Sequence, residues 1–182
     1  MFLQLGGAII IRKGRRKNMK KSFWSLTLVA FFIAGSAGMV LGTNSGLPAA
    51  EGKAVYSYIT KDKPYQGWSL FPGKDKFYKG QHPHGALLTT YVNDVALGGI
   101  KQKVGTLASG AIIVKENYMP DKTLGAVTVM YRVDGYDSEA GDWFWAKYNA
   151  DGSIAKEGKV AGCIGCHTAA INNDWIFTGP VK

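Results

Sequence analysis

The chain has 182 residues, of which 46% are hydrophobic and 19% are charged, and its formal net charge is +9. This length and composition suit one domain with a hydrophobic core, and they exclude a disordered chain, a collagen-like repeat and a disulfide-rich scaffold, since there are only two cysteines. Seven basic residues and no acidic ones lie in residues 1–21, so the rest of the chain is nearly neutral. Its charge therefore gives no reason to expect a nucleic-acid partner.

The first 42 residues have the features of an export signal. After the basic stretch, residues 23–34 form an uncharged apolar run, and residues 35–38 are small. This order is typical of a secretory signal peptide, so we expect export to the periplasm. The alternative is a retained membrane anchor, because residues 23–42 carry no charge and are just long enough to span a bilayer. Residues 43–182 are expected to form a single domain.

The remaining chain reads as strands with a few short helices. β-branched and aromatic runs bounded by Gly, Pro or Asp predict strands over residues 86–92, 111–118, 126–133 and 143–148. Short helices are predicted over residues 49–59, after an Asn93–Asp94 cap and over residues 163–171. Because no long helix separates the strands, we expect a mainly β (α+β) fold with an antiparallel sheet and short flanking helices. Residues 64–84 are expected to form a long loop.

The two cysteines stand in the run Cys163-Ile164-Gly165-Cys166-His167, which is typical of c-type haem attachment. On a helical turn this spacing sets both thiols beside the two vinyl groups of a haem, where each forms a thioether. The adjacent His167 then binds the iron from below. We therefore expect one covalent haem c per chain, held by a C-terminal attachment helix.

Three other readings of the cysteine motif are weaker. A zinc site would need a fourth ligand, and the other histidines, His82 and His84, lie far upstream. A thioredoxin-like redox pair would open a helix after a strand in a βαβ unit, which residues 159–162 do not suggest. A structural disulfide would leave His167 without a role.

The residue opposite His167 on the iron is not evident from the motif. Met119 and Met130 precede the motif, and no methionine follows it. Met130 lies in an apolar strand, where a core role is expected. His82 and His84 flank Pro83 in the loop; either could be a second ligand of the iron, but an exposed or structural role is expected. We therefore predict an open sixth coordination position, suited to binding or transforming a small molecule.

An ordered set of short motifs runs through the chain from residue 83 to residue 175. They are Pro83-His84-Gly85, Tyr91-Val92-Asn93-Asp94, Gly110-Ala111-Ile112-Ile113-Val114-Lys115-Glu116-Asn117, Val129-Met130-Tyr131-Arg132, Gly135-Tyr136-Asp137, Gly141-Asp142-Trp143-Phe144-Trp145-Ala146, Gly158-Lys159-Val160, the haem motif and Asn173-Asp174-Trp175. With these motifs the chain closely resembles the cytochrome P460 family, over most of its length after residue 65.

The resemblance implies an exported, homodimeric, mainly β haem protein related to the β-sheet type of cytochrome c′. Characterised members of the family oxidise hydroxylamine to nitric oxide or nitrous oxide, whereas the cytochrome c′ relatives bind nitric oxide without comparable turnover. The family's hallmark is a lysine joined covalently to the porphyrin rim. By the match to Val114-Lys115-Glu116, that lysine would be Lys115.

Strand alternation is compatible with such a role for Lys115. It places Lys115 on the same face as Ala111 and Ile113, where burial would favour the neutral, nucleophilic amine. The alternative is a solvated strand lysine. Glu116 would point to the opposite face as an exposed or dimer-contact carboxylate.

Some family members have a distal carboxylate on the strand after the lysine, and residues 126–130 offer none. A base near the iron would help to remove protons from hydroxylamine. Glu139 and Asp142 lie in a turn that could approach the site, although a solvated loop is their expected place, and the two loop histidines are possible substitutes. Trp143 and Trp145 are expected on one strand face, with Phe144 and Tyr148 on the other, mostly as packing. Phe71 or Phe77 could cover the iron.

The sequence thus predicts hydroxylamine oxidation by an exported cytochrome, with Cys163, Cys166 and Lys115 binding the haem, His167 binding the iron, and a soluble cytochrome accepting the electrons. The alternative function is the binding or scavenging of nitric oxide without turnover. A third possibility is an electron carrier with a sixth protein ligand.

Overall fold

A computed structural model describes residues 46–182, which form a seven-stranded antiparallel sheet with three short α-helices. The strands are β1 (Ser69–Leu70), β2 (Tyr78–Lys79), β3 (Leu87–Val92), β4 (Ile112–Tyr118), β5 (Leu124–Arg132), β6 (Trp143–Asn149) and β7 (Ile154–Gly158). The α-helices are α1 (Gly52–Ser57), α2 (Asp94–Gln102) and α3 (Ala161–His167). The expected fold class, mainly β with an antiparallel sheet, is confirmed.

The sheet follows the chain almost in sequence order, β1-β3-β4-β5-β6-β7, with β2 also paired to β3. Short turns join β4 to β5 and β6 to β7 directly, as antiparallel pairing allows, whereas α2 lies in the connection from β3 to β4. The four predicted strands match β3, β4, β5 and β6, whereas β1, β2 and β7 were not predicted. Two of these, β1 and β2, lie inside the predicted loop over residues 64–84, so that prediction was only partly right.

Shorter helical turns complete the described part of the chain. A π-helical turn at Tyr58–Asp62 continues α1, in the region of the helix predicted over residues 49–59. Single 3₁₀ turns lie at Tyr65–Gly67 and Ser138–Ala140, and a longer one at Thr168–Asn173 continues α3. No helix within residues 46–182 has the length and apolarity needed to cross a bilayer. The predicted export signal lies outside the described residues.

One face of the sheet is covered by α1 and the turns that follow it. Alternate residues of β4 to β6, among them Val114, Tyr131 and Phe144, pack there against Val55 and Ile59. Because side chains alternate along a strand, this face takes every second residue and leaves the others for the opposite side.

The opposite face carries α2 and the C-terminal segment. Asn93 caps α2 as predicted: its side chain accepts a hydrogen bond from the Ala96 amide, and Ala96 and Ile100 are buried on this face. Trp143 and Trp145 pack here, whereas Phe144 and Tyr148 pack on the face of α1, as their alternation predicts. The helix α3 follows β7 and closes this side of the domain, where the functional residues lie.

Candidate functional site

A cavity of about 320 Å³ lies between the sheet and α3. Lys115 lines it from β4, and Cys163, Cys166 and His167 line it from α3. All four residues singled out from the sequence thus meet at one site. The volume lies within the range of roughly 300–1,000 Å³ that ligand pockets usually have.

The sheet forms a wall of this cavity with two adjacent rows of side chains. One row is apolar, because Ile113, Met130 and Trp145 are successive cross-strand neighbours on β4, β5 and β6. The next row is polar and basic, and it consists of Lys115, Thr128, Lys147 and Lys156. The cavity therefore offers an apolar surface bordered by cations, which suits a flat apolar group that carries negative charge at its edge.

The two thiols lie one helical turn apart on α3, and neither is in a disulfide. Cys163 is half-buried and packs against the core, and this burial raises the pKa of its thiol. Cys166 lines the same cavity but is exposed to solvent. Both sulfurs are therefore free to react with a group in the cavity, and the disulfide reading finds no support here.

His167, the last residue of α3, is held in one tautomer. Its ring is only 7% exposed, and Nδ1 lies 2.6 Å from the carbonyl oxygen of Trp175. Because a carbonyl only accepts, Nδ1 carries the proton and Nε2 of the neutral ring keeps its lone pair. Burial lowers the pKa of His167, which favours the neutral ring. The ring packs against Trp145 and Phe177, with centroid distances of 4.7 and 5.2 Å.

The Trp175 carbonyl reaches His167 because the chain reverses in two left-handed residues, Asp174 and Trp175, with φ of 53° and 65°. Such angles are unfavourable for side chains with a Cβ and persist where surrounding contacts fix them. The buried Asp174 carboxylate provides those contacts, since it accepts hydrogen bonds of 2.8 Å from both the Leu107 amide and Arg132. Arg132 and Asp174 thus act on His167 through the backbone.

Lys115 is half-buried and lies at the β4 end of the basic row. Desolvation, with a smaller effect of the nearby Lys74 charge, lowers the pKa of Lys115 to about 8. An appreciable fraction of its amine is therefore neutral near neutral pH, and the neutral amine is the nucleophilic form.

Glu116 differs from the prediction. It does point to the opposite face, but it is buried, only 6% exposed, and not at the surface. Its carboxylate accepts hydrogen bonds from the hydroxyls of Tyr65, at 2.9 Å, and Tyr118, at 2.7 Å. The turn that carries Tyr65 covers this part of the sheet, so the expectation of an exposed carboxylate was wrong.

His84 is half-buried and lines the cavity, so of the roles considered from the sequence the exposed one does not apply to it. Its Nδ1 lies 2.9 Å from Oδ1 of Asn117, on the strand that carries Lys115. Burial, followed by the Lys115 charge, lowers the pKa of His84 to about 4, so the ring is neutral at physiological pH. His82, by contrast, is exposed.

The other candidates from the sequence divide between core and surface. Met130 packs in the core, as predicted, and also lines the cavity, whereas Met119 is 54% exposed. Phe71 is buried in the core and Phe77 packs on Tyr118, and neither lines the cavity. Besides Trp145, Phe177 borders the cavity, and sequence reasoning missed it. Glu139 and Asp142 are absent from the lining of the cavity.

The residues at the cavity fit a haem. The lining joins apolar side chains to two free thiols and an imidazole with a lone pair, which is the donor set of c-type attachment. No cluster of three or more His, Cys, Asp or Glu side chains suited to a metal ion occurs within residues 46–182, so the zinc alternative lacks its ligands.

Comparison with known families agrees with this geometry. The family described as Cytochrome P460 matches residues 63–178, which include Lys115 and the whole Cys-X-X-Cys-His motif. A comparison with curated proteins gives no match. Since the family match covers more than half of the sequence, the chain belongs to the cytochrome P460 family, which implies a haem cofactor.

Proposed function

We propose that this protein is an exported mono-haem c-type cytochrome that oxidises hydroxylamine to nitric oxide or nitrous oxide. Oxidation of one hydroxylamine to nitric oxide releases three electrons and three protons. Two hydroxylamines that form one nitrous oxide and one water release four electrons and four protons. The electrons would pass to a soluble cytochrome, and the protons to solvent.

The cofactor would be held by α3. The thiols of Cys163 and Cys166 would add across the two vinyl groups to form thioethers, and Nε2 of His167 would bind the iron. The bound haem supplies the redox-active iron on which a small nitrogenous molecule can bind. The hydrogen bond from Nδ1 of His167 to Trp175 fixes the ring orientation and increases its basicity as a ligand.

Lys115 would modify the rim of the macrocycle. A bond from its Nζ to a rim carbon replaces one N–H and one C–H bond, which removes two electrons and two protons. Hydrogen peroxide would accept the two electrons and the two protons and become two water molecules. The resulting link would distort the macrocycle and tune its electronic properties, which is one of the means by which proteins adjust haem reactivity.

The observation that carries this proposal is the meeting of Lys115 with the three motif residues in one cavity. Lys115 lies on a central strand of the sheet, whereas the motif lies on α3. A lysine whose only role was contact with solvent would have no reason to lie beside the cysteines and the histidine. Its half-buried amine has a lowered pKa, as a nucleophile requires.

The rival function is nitric-oxide binding without turnover, and one observation favours it. No Asp or Glu lines the cavity formed by the described residues, so a carboxylate base of the kind found in some relatives is missing. Turnover would then depend on another proton acceptor.

The first experiment uses the full chain matured with covalent haem in a bacterial periplasm and reduced with dithionite. A strongly red-shifted Soret band that is lost in Lys115→Ala, but kept when the exposed Lys101 is changed to Ala, would support the cross-link. Hydroxylamine-dependent reduction of a soluble cytochrome or an artificial acceptor then tests turnover. Tight nitric-oxide binding with no such reduction would favour the rival.

Three further expectations belong to the same proposal. They are periplasmic export, a homodimer and a soluble cytochrome as electron acceptor. Cell fractionation tests the first and distinguishes it from retention by an N-terminal anchor. Light scattering of the mature protein tests the second.

A further inference from the structure

The cavity beside α3 adjoins a second cavity of about 250 Å³ that lies against β2. Cys166 and Phe177 line both cavities. Both side chains are exposed, and for Phe177 the exposed fraction reaches 55%. These two residues therefore lie where the cavities open to solvent.

Lysines flank this opening on two sides. Lys74 and Lys79 line the second cavity only, whereas Lys147 and Lys156 line the first cavity only. Lys79 and Lys156 are exposed, and the other two are half-buried. None of the four forms an ion pair within residues 46–182. The lysine-flanked opening, as we term it, thus consists of Lys74, Lys79, Lys147, Lys156, Cys166 and Phe177.

The positive charge arises from the way in which the strands distribute their charged residues. Lys115 and Lys156 point to the cavity face, so the residues that follow them, Glu116 and Glu157, point to the opposite face. Glu116 is buried there, and Glu157 accepts a hydrogen bond from the Gly52 amide at the start of α1. No Asp or Glu of the described chain lines either cavity, so no carboxylate of the lining offsets the lysines.

The exposed Cys166 gives this surface a function. Its thioether would join an edge of the haem to a residue in contact with solvent, where a second protein can approach closely. Electron transfer between proteins requires such an approach, and complementary charges around the contact steer and orient the encounter. We propose that the lysine-flanked opening is the docking surface for an acidic one-electron carrier protein, with Phe177 as its apolar centre.

This inference rests on the haem attachment in the proposed function, and it names the kind of partner that accepts the electrons. It also excludes this surface from the expected homodimer. In a two-fold dimer the same face of both protomers meets, so the lysines of one protomer would oppose those of its partner. Like charges opposed across an interface are strongly unfavourable.

The test uses the holoprotein reduced with dithionite and freed of the excess, so it needs no hydroxylamine. Oxidised plastocyanin, an acidic copper protein, and oxidised mitochondrial cytochrome c, a basic haem protein, serve as acceptors in stopped-flow measurements. In each reaction the ferrous haem loses one electron and the metal of the acceptor gains it. We expect the rate with plastocyanin to fall at least about tenfold as salt rises from about 10 to about 200 mM. The rate with cytochrome c should not fall.

Charge reversal locates the surface. Lys79→Glu combined with Lys156→Glu should slow electron transfer to plastocyanin at least about tenfold at low salt and accelerate transfer to cytochrome c. Lys53→Glu combined with Lys101→Glu is the matched control, because both lysines are exposed, line neither cavity and give the same change in net charge. The control should change each rate less than about threefold. Equal effects of the two pairs, or a plastocyanin rate that is insensitive to salt, would overturn the proposal.

Binding without electron transfer gives a second readout. Isotope-labelled cuprous plastocyanin is titrated with the ferric holoprotein, and its amide resonances should shift at low salt and return at high salt. Shifts that persist with the Lys79→Glu and Lys156→Glu variant would contradict the assignment. If that variant fails to retain haem, the titration and the salt dependence of the unaltered protein still decide the question.

The same preparations separate this inference from the proposed function. A protein that passes electrons to plastocyanin as expected but never oxidises hydroxylamine would retain the docking surface and refute the enzyme. A protein that oxidises hydroxylamine but shows no preference of this surface for plastocyanin would do the reverse. Binding to phosphatidylglycerol vesicles that is lost with the two lysines, without any effect on plastocyanin, would assign the surface to a lipid bilayer and overturn the proposal.

Discussion

The Trp175 carbonyl oxygen lies 2.6 Å from Nδ1 of His167, and it is brought there by two consecutive residues in the left-handed region. The Arg132–Asp174 ion pair, 2.8 Å long and largely buried, fixes this reversal. The orientation of the expected iron ligand thus depends on an ion pair that binds no cofactor itself.

Removal of Arg132 should destabilise the protein strongly. Arg132→Met leaves the Asp174 carboxylate buried without its charge partner, and breaking a buried pair in this way costs roughly 3–5 kcal/mol. We expect a loss of about 3 kcal/mol in the free energy of unfolding, measured by urea denaturation of the holoprotein.

The surface pair Lys159–Asp137 is the control for this experiment. Its lysine side chain is 56% exposed and the N–O distance is 3.3 Å. Lys159→Met should therefore change the free energy of unfolding by less than about 1 kcal/mol. Equal effects of the two substitutions would contradict the role given to Arg132.

The reactivity of Lys115 should depend on pH with a midpoint near 8. The pKa of Lys115 is lowered to about 8, chiefly by desolvation, so the amine is mostly protonated below this pH and mostly neutral above it. Only the neutral amine is nucleophilic. In the haem-free protein, labelling of Lys115 by an amine reagent should rise about tenfold from pH 6 to pH 7 and level off above about pH 9.

Peptide mass spectrometry identifies the labelled lysine, and Lys115→Arg shows which peptide signal to assign to it. A labelling rate that still rises tenfold per pH unit between pH 9 and 10 would mean that the pKa of Lys115 is not lowered.

Much of this arrangement can be predicted from the sequence, because the patterns involved are local. Strand alternation placed Lys115 and Ile113 on one face, and the Cys-X-X-Cys-His spacing located α3. β7 was missed because Ile154–Gly158 is mostly exposed and contains two charged residues, so it lacks the apolar alternation of a half-buried strand.

The features that sequence reasoning missed depend on contacts between distant segments. Alternation gives the face of Glu116 but not the Tyr65 turn that covers it. In the same way, the bond from His84 to Asn117 joins residues 33 positions apart, and no local pattern indicates it. Phe177 shows no periodicity that would place it beside His167.

Glu116 should contribute to stability without affecting the haem. Glu116→Leu would leave the buried Tyr65 hydroxyl and the half-buried Tyr118 hydroxyl without this acceptor, and a buried unsatisfied group costs about 1–3 kcal/mol. We expect a loss of at least about 2 kcal/mol in the free energy of unfolding, and a smaller loss for Glu116→Gln, which keeps one acceptor oxygen.

Because Glu116 lies on the face away from the cavity, the absorption spectrum of both Glu116 variants should match that of the unaltered protein. A shifted Soret band in Glu116→Gln would contradict this separation of the two faces.

The two cysteines should contribute equally to haem attachment but unequally to the free energy of unfolding. Cys163→Ala and Cys166→Ala each leave one thiol, so each variant should retain haem through one thioether. When Lys115→Ala removes the proposed rim bond as well, the double cysteine variant should lose all of its haem on acid–acetone extraction. Intact mass of the denatured polypeptide measures the attached haem directly.

Cys163 is half-buried against the core and Cys166 is exposed, so Cys163→Ser should cost about 1 kcal/mol more in unfolding free energy than Cys166→Ser. Covalent haem that remains in the variant lacking Cys163, Cys166 and Lys115 would show that another residue binds the macrocycle and would contradict the assignment of haem attachment to these three residues.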